Sequence, residues 1–169
     1  MWQGDLVLKG DASRIQMHYV AGNKHLSFET LPQPIPASLP ALNPTLQSLT
    51  ISQRMNNPSQ AIYEFNQRIV CEDNYCLLVA VACGTSQTDL TDQTLVFNDK
   101  FIKYFSDKQS AALVQTPDDK YIHIFPPSDM VDDLVSLHGC AELREQLRNV
   151  PHAVVIILNV GLPLKRSHV

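Results

Sequence analysis

Long apolar runs, glycine-rich motifs and an excess of positive charge are all missing from this 169-residue sequence. No apolar stretch approaches the roughly 20 residues that a membrane-spanning helix requires. The six glycines form neither a G-x-G-x-x-G fingerprint nor a Walker pattern, which excludes the usual nucleotide-phosphate loops. The first five residues contain no basic region followed by an apolar one, so no secretory signal is predicted. We therefore expect a protein outside the membrane that carries no such leader.

Positive charge is scarce, because 13 Lys and Arg oppose 17 Asp and Glu and leave a formal net charge of −4. This balance argues against a general nucleic-acid binder, whose domains are usually basic, although it is compatible with a small basic patch. Apolar residues make up 44% of the chain and charged residues 18%, which excludes an intrinsically disordered protein. The length is typical of one domain with a sizeable core. We expect a single, monomeric domain.

The sequence also lacks a recognisable metal or catalytic set. The cysteines at 71, 76, 83 and 140 do not have the short paired spacing of a zinc site, and two of them lie in or beside an apolar run where thiols usually serve packing. His123 alternates within an apolar strand pattern, and the acidic residues at 129, 132 and 133 suit a helix N-terminus. No nucleophile, base and orienting group come together. The sequence therefore predicts neither an enzyme nor a metal or other cofactor.

The N-terminal half of the sequence has the pattern of strands interrupted by a proline-rich loop. Strands are predicted over residues 2–9, 15–20, 26–31 and 49–54. Five prolines between residues 32 and 44 exclude a ladder or a helix interior and predict an extended surface loop. A helix is then predicted with Ser59 as its N-cap and with Ile62, Phe65 and Ile69 on its apolar face.

The C-terminal half contains longer and more regular patterns. The apolar run 75–83 predicts a central strand covered on both sides. A helix is predicted over 92–108, because Phe97, Phe101, Ile102 and Phe105 fall on one stripe. The remaining predicted elements are strands over 111–115, 121–125 and 152–160 and a helical pattern over 134–148, with an interruption at 139.

Together these elements predict an α+β fold over residues 1–160, followed by a frayed tail over 161–169. About seven strands with two or three inserted helices suggest a sheet that can curl into a barrel. The strands do not alternate regularly with helices, so a doubly wound parallel sheet is the weaker alternative. We expect a mainly antiparallel, partly closed sheet with Phe97, Phe101 and Phe105 packed on it.

A few cations stand at the ends of the predicted elements, namely Lys9, Arg54 and Lys108. Tyr104 and Lys108 are four residues apart and share a helix face. At 100° per residue, both flank the apolar stripe that contains Phe105, where the rim of a groove would lie. The alternative is structural, with Lys108 interacting with the helix dipole and Tyr104 at the edge of the core.

Several short motifs occur in a specific order from residue 1 to about residue 160. They are Trp2-Gln3-Gly4 with Leu8-Lys9, Gln16-Met17-His18, Ala21-Gly22-Asn23, Gln53-Arg54-Met55, Tyr75-Cys76-Leu77-Leu78, Phe101-Ile102-Lys103-Tyr104, Lys108-Gln109-Ser110-Ala111-Ala112, Ile124-Phe125-Pro126-Pro127 and the strand over 154–160. In this order they resemble the SPOC domain, the C-terminal domain of the split-ends (Spen) family, and the likeness is greatest to Spen-type corepressors.

The resemblance implies a distorted seven-stranded β-barrel with inserted helices and a function in transcriptional repression in the nucleus. The family's domain is a peptide-binding module for phosphoserine-containing segments, either acidic tails of nuclear corepressors or the phosphorylated tail of RNA polymerase II. Its peptide-binding and phosphate-binding residues correspond to Lys9, Arg54 and Tyr104, with Lys108 as a neighbour. A guanidinium that binds phosphate through two parallel bonds, an ammonium and a phenol suit this ligand.

The sequence departs from this family at two positions. Close relatives continue Q-R-M-R, but the second arginine is replaced here by Asn56, on the strand face of Arg54. Thr50 is also uncharged where relatives often have arginine. We therefore expect fewer cations in this pocket. Two other hypotheses are a nucleic-acid-binding β-barrel, which the net charge disfavours, and an enzyme, for which no complete site is visible.

Overall fold

The computed structural model describes residues 1–33, 47–68 and 74–159, with the backbone alone at residue 68. The strands in these ranges are β1 (Trp2–Leu8), β2 (Asp11–Gly22), β3 (Ser48–Thr50), β4 (Gln53–Asn56), β5 (Tyr75–Ala82), β6 (Ser110–Gln115), β7 (Tyr121–Phe125) and β8 (His152–Leu158). The helices are α1 (Lys24–Thr30), α2 (Pro58–Arg68), α3 (Gln87–Val96), α4 (Lys103–Asp107), α5 (Asp129–His138) and α6 (Ala141–Leu147), and a π-helical segment, Phe97–Ile102, joins α3 to α4. In this part of the chain, no helix has the length and apolar character needed to cross a membrane.

The strands form one curled sheet in the order β3-β1-β2-β5-β8-β7-β6-β4, in which the pairing of β1 with β3 is parallel and the other pairings are antiparallel. The outermost strands, β3 and β4, are separated in sequence by only two residues. The Ile51 N–H donates to the carbonyl of Val7 on one side (2.9 Å), and the Ser52 N–H donates to the carbonyl of Leu113 on the other (3.1 Å). The sheet therefore curls until its two ends meet. This confirms the predicted barrel-like α+β fold.

The predicted strand over 49–54 divides in two at this junction and the predicted strand over 26–31 is a helix, so the sheet has eight strands where about seven were expected. Residues 48–50 of this stretch pair with β1 and residues 53–56 pair with β6, so the pairing partner changes at Ile51 and Ser52.

The core consists of two apolar clusters on opposite faces of β5. Cys76, Leu78 and Ala80 belong to the cluster that contains the aromatic residues of the π-helical segment and α4. Tyr75, Leu77 and Val79 belong to the cluster under α2 and α5. The continuous apolar run is therefore a central strand that is covered on both sides, as predicted. The expected packing of Phe97, Phe101 and Phe105 is also confirmed, because all three are at most 4% exposed.

The predicted strand over 26–31 is wrong, since residues 24–30 form α1. Asn23 caps this helix, and its side-chain oxygen accepts a hydrogen bond from the His25 N–H (3.0 Å). The buried residues are Leu26 and Thr30, which are four apart and so share one helical face. A capping residue followed by a buried pair with helical spacing outweighs the short alternation that suggested a strand.

The predicted starts of three helices are also wrong, because capping side chains lie further upstream. The helix predicted to begin at 92 begins at Gln87, where Ser86 accepts from the Asp89 N–H. The helical pattern predicted from 134 begins at Asp129, where Ser128 is the N-cap. Ser59 lies inside α2 and is not its cap, since the side chain of Asn57 accepts from the Gln60 N–H (3.3 Å).

Most of the proline-rich loop, Ile69, Cys71 and the tail over 161–169 lie outside the described residues.

Candidate functional site

Lys9 reaches the centre of the candidate site from the turn between β1 and β2. Leu8 pairs with Asp11, so Lys9 and Gly10 alone form the loop. Their φ angles of 51° and 89° are both positive, as a type I′ hairpin turn requires. From this turn the Nζ of Lys9 donates a hydrogen bond to the Tyr104 hydroxyl at 3.0 Å.

Tyr104 lies between two cations at the end of the long helical segment. Lys9 Nζ is 5.0 Å from the centroid of its ring, and Lys108 Nζ is 5.3 Å from it. The ring also packs edge-on against the buried Phe105, with centroids 5.0 Å apart and an interplanar angle of 90°. The core therefore fixes Tyr104 from below, while the two ammonium groups are drawn to its π face.

Arg54 reaches the same place from β4, where it pairs with Ala112 of β6 and is exposed. The pKa of Tyr104 lies below its ordinary value, chiefly because Lys9 donates a hydrogen bond to the hydroxyl and also because Lys9, Lys108 and Arg54 place positive charge nearby. The structure thus brings together all four predicted residues, although 95 residues separate Lys9 from Tyr104. We name Lys9, Arg54, Tyr104 and Lys108 the basic patch.

The cations of the basic patch form no ion pair with a carboxylate in the described ranges. Other exposed or half-exposed cations do form such pairs, for example Arg144 with Asp133 (3.0 Å) and Arg148 with Glu145 (2.7 Å). Three cations without a paired carboxylate in the described ranges therefore lie together on a chain that is negative overall. Such an arrangement suits an external anion.

A cavity of about 600 Å³ lies beside the basic patch; the sequence predicted the rim of a groove at Tyr104 and Lys108, and of these two residues Lys108 lines the cavity. Lys108 and Asn56 line it together with apolar residues, which include Phe105 and Pro127. In the sequence, the Ile124-Phe125-Pro126-Pro127 motif indicated the family resemblance, and the two prolines directly after β7 were the available signal for the cavity. The second departure from the family, Thr50, is exposed on β3.

A second cavity, of about 480 Å³, is lined by Trp2, Tyr19, Lys24 and Phe28, at the end of β1 opposite Lys9. Lys24 Nζ lies 4.7 Å from the centroid of the Tyr19 ring, and Phe28 is exposed. No residue of the basic patch lines this cavity. Its residues therefore offer control positions for mutations in the patch.

Cys76, Cys83 and His123 have structural surroundings. Burial raises the pKa of the Cys76 thiol to about 11 and also raises that of Cys83, so both stay protonated at neutral pH. His123 is buried, and its Nδ1 lies 3.0 Å from the carbonyl of Ile156. This agrees with the predicted role of His123 as a sheet residue. Across these ranges, no three His, Cys, Asp or Glu side chains come close enough to bind a metal ion.

Comparisons with known proteins identify the relatives of this chain. The chain is 31% identical to Msx2-interacting protein of Mus musculus, in an alignment that covers 95% of this chain and 4% of the relative. It is 27% identical to Protein split ends of Drosophila melanogaster, with 95% and 3% of the two chains covered. The chain therefore spans only a small part of the curated relatives that it matches.

A solved structure shows the same fold. The crystal structure of the SPOC domain of human PHD-finger protein 3 matches with a TM-score of 0.50 and 13% identity, and the match covers 95% of this chain and 98% of that one. The family model described as SPOC domain matches residues 1–159. The chain belongs to the SPOC domain family, the protein-interaction domain of Spen-family transcriptional regulators.

Proposed function

We propose that this domain binds phosphoserine-containing peptides through the basic patch. The observation that carries the proposal is the convergence of Lys9, Arg54 and Lys108 around Tyr104 with no carboxylate paired to them in the described ranges. Three uncompensated cations in one place favour a ligand that brings concentrated negative charge, and a phosphate monoester has nearly two charges at neutral pH.

The chemistry of each group suits phosphate. The Arg54 guanidinium can form two parallel hydrogen bonds to phosphate oxygens, while Lys9 and Lys108 act as point charges. The Tyr104 hydroxyl accepts from Lys9, so its own hydrogen is available to donate to a phosphate oxygen. Recognition of phosphorylated motifs by basic clusters is a recurrent mode.

The ligands that we propose are phosphorylated tails of nuclear corepressors or of RNA polymerase II, and the setting is repression of transcription in the nucleus. The relatives' descriptions as Msx2-interacting protein and Protein split ends are compatible with such a setting but name neither ligand. Nucleic acid is the alternative anion. A long phosphate backbone would need many contacts, whereas the basic patch provides three cations on a chain of net charge −4.

The test is a titration of matched phosphorylated and unphosphorylated tail peptides, and of a single-stranded RNA, at two salt concentrations. We expect the phosphorylated peptides to bind at least tenfold more tightly than the unphosphorylated ones and the RNA to bind weakly. The variant Arg54→Glu should abolish peptide binding and leave the melting temperature nearly unchanged.

The matched control is Lys24→Glu, which makes the same change in charge at an exposed lysine at the end of β1 opposite Lys9, outside the basic patch. It should leave peptide binding within about twofold, because charges more than a Debye length of roughly 8 Å away are largely screened. If both variants weaken binding equally, net charge and not the patch is responsible. If Arg54→Glu unfolds the domain, Arg54 is structural and the assignment fails.

A further inference from the structure

The second cavity, of about 480 Å³, has aromatic walls that come from three different elements. Trp2 of β1 is buried, and its Nε1 donates a hydrogen bond to the carbonyl of Pro32 (2.8 Å). Tyr19 of β2 and Phe28 of α1 line the same cavity but are 40% and 60% exposed. Single exposed apolar residues are common on protein surfaces, whereas two exposed rings in one cavity are typical of an interaction site.

Hydrogen bonds around these rings hold them in place. The Tyr19 hydroxyl donates to the carbonyl of Gly22 (2.7 Å). The side-chain amide of Gln33 donates to the carbonyls of Phe28 (2.6 Å) and Leu31 (3.0 Å), which fixes the end of α1. A ligand ring would therefore meet surfaces that are already in position, and aromatic rings attract each other in stacked or edge-on arrangements.

Lys24 gives this cavity a positive charge. It is the only charged side chain among the described residues that line the cavity, and its Nζ lies 4.7 Å from the centroid of the Tyr19 ring. Lys24 forms no ion pair in the described ranges, although Glu29, further along α1, pairs with Lys120 (4.0 Å). An ammonium already occupies the face of Tyr19, so the charge of the cavity opposes a cationic ligand and complements an anionic one.

A side-chain amide in the cavity can also pair with a polar ligand group. The backbone carbonyl of Gln47 accepts from the Asp5 N–H (2.7 Å), but its side chain has no hydrogen-bond partner in the part of the chain that the structure describes. The amide oxygen can accept from an indole N–H or a phenol O–H. The cavity therefore suits tryptophan or tyrosine with a carboxylate nearby.

We propose that this cavity docks an acidic segment of a partner protein, which inserts one tryptophan or tyrosine flanked by aspartate or glutamate. The inserted ring packs against Tyr19 and Phe28, and a flanking carboxylate pairs with Lys24. The cavity lies at the end of β1 opposite Lys9, and none of its lining residues belongs to the basic patch. The site requires no phosphate, so it goes beyond the function proposed above and is independent of it.

Single-stranded RNA is the alternative ligand, because its bases also stack on exposed aromatic rings. RNA binding, however, depends on several cations along the phosphate backbone. Lys24 alone supplies a charged side chain among the described lining residues, on a chain of net charge −4. One aromatic ring with a neighbouring carboxylate matches this composition better.

The experiment titrates short, unphosphorylated, alanine-rich peptides into the isotopically labelled whole chain and follows binding by NMR. The peptides contain tryptophan between two aspartates, two asparagines or two lysines, or alanine between two aspartates. Trp2 is the only tryptophan of the chain, so its indole signal reports on the cavity directly. We expect the aspartate form to bind about threefold more tightly than the asparagine form and about tenfold more tightly than the lysine form, because one exposed ion pair is gained or opposed. The alanine peptide should leave the indole signal unchanged.

Phe28→Ala tests the aromatic contact. It removes an exposed ring and should weaken binding of the aspartate-flanked tryptophan peptide about fivefold. Its control is Tyr63→Ala, which removes a similarly exposed ring on α2 that does not line the cavity. The control should change this affinity less than twofold.

Lys24→Glu tests the charge. It should reverse the order of the aspartate-flanked and lysine-flanked peptides, since the cavity would then attract cations. Its control is Arg54→Glu, which makes the same kind of change in the basic patch and should leave the order as it is. Lys24 is exposed, so this variant tests the proposal even if Phe28→Ala does not fold.

Several results would overturn the proposal. They are equal binding of the aspartate and lysine peptides, an order that Lys24→Glu does not reverse, tight binding that survives in a folded Phe28→Ala variant, and binding of none of the peptides. A single-stranded RNA that shifts the Trp2 indole signal at lower concentration than the peptides would assign the cavity to nucleic acid instead. Broadening of that signal as the chain alone is concentrated would assign it to a second copy.

These outcomes are distinct from those of the phosphate site. A chain that binds the aspartate-flanked tryptophan peptide but does not distinguish phosphorylated from unphosphorylated tails would overturn only the proposed function. A chain that distinguishes the tails but fails the tests above would overturn only the second docking site.

Discussion

Lys9 has a backbone conformation that residues with a long side chain seldom adopt. Its φ of 51° is in the left-handed region, where asparagine, aspartate and glycine are usual and other residues are strained by about 1–2 kcal/mol. Gln109, which follows Lys108 at the end of α4, has a φ of 48° and the same kind of strain. Two strained residues thus lie in or beside the basic patch, and such strain is common at functional sites.

We expect Lys9→Asn to stabilise the domain while it weakens the site. Asn-Gly is the preferred pair of a type I′ turn, so the free energy of unfolding should rise by about 0.5–1 kcal/mol. Phosphopeptide affinity should fall about tenfold, because one charge-assisted contact is lost. Urea unfolding and peptide titration measure the two effects separately.

The control for Lys9→Asn is Gln109→Gly, which relieves strain of the same kind and retains all cations of the patch. It should raise stability by a similar amount and leave affinity within about twofold. A loss of stability in Lys9→Asn would show that the contact of Lys9 with Tyr104 outweighs the strain of the turn.

At the scale of elements, the π-helical segment determines which way α4 faces. The Lys103 N–H donates to the carbonyl of Asn98, five residues earlier, so this turn contains one residue more than an α-helical turn. Each residue rotates a helix by about 100°. The extra residue therefore lets Phe97 and Phe105 face the same core while Tyr104 and Lys108 stay at its rim.

Insertion of one alanine after Lys100 should disrupt this arrangement. The π-helical turn already absorbs one extra residue, so a second one would rotate α4 by about 100° relative to α3, and one of the two phenylalanines would leave the core. We expect a loss of about 2–3 kcal/mol in the free energy of unfolding and complete loss of phosphopeptide binding. The control is deletion of Lys100, which converts this segment to a regular α-helical turn, keeps the orientation of α4 and should leave binding within about twofold. An insertion variant that still bound the peptide would show that the orientation of α4 does not depend on this turn.

At the scale of the whole molecule, His138 is half-buried where the end of α5 packs on the sheet. Its ring lies 5.6 Å from that of Tyr75 and 6.2 Å from that of Phe65, measured between centroids. Its Nε2 is buried and without a hydrogen-bond partner in the described ranges. Burial therefore lowers the pKa of His138, because the charged ring would lose its water.

The stability of the domain should consequently fall between about pH 7 and pH 5. The unfolded chain binds a proton at His138 near pH 6.5, whereas the folded chain resists it, so the unfolded state takes up more protons as the pH falls. The variant His138→Phe should lose less stability over this interval than the wild type, in thermal melts at both values. Parallel curves of melting temperature against pH for His138→Phe and the wild type would contradict the role of His138.

Asp89 affects stability at lower pH. The hydrogen bond from the Thr85 N–H lowers the pKa of its carboxyl, so the stability that Asp89 contributes is lost only below about pH 4.

Periodic patterns along the chain predicted most of the sheet, because each depends on neighbouring residues. The apolar run of β5 and the aromatic stripe of the long helix are examples. Patterns were least reliable where two interactions competed over a few residues. At α1 the side chain of Asn23 outweighs a short alternation, and at Ile51 and Ser52 the pairing changes from β1 to β6.

The amino-acid sequence by itself determined the family, the strand content and the types of residue that form the basic patch, since these depend on ordered motifs and local periodicity. Only the tertiary structure decided that Lys9 donates to Tyr104 and that Asn56 lines a cavity beside Lys108. Both contacts require the sheet to curl until its ends meet at Ile51 and Ser52 and the π-helical turn to set the angle of α4. Such contacts join residues far apart in sequence, so their geometry depends on how all the elements pack together.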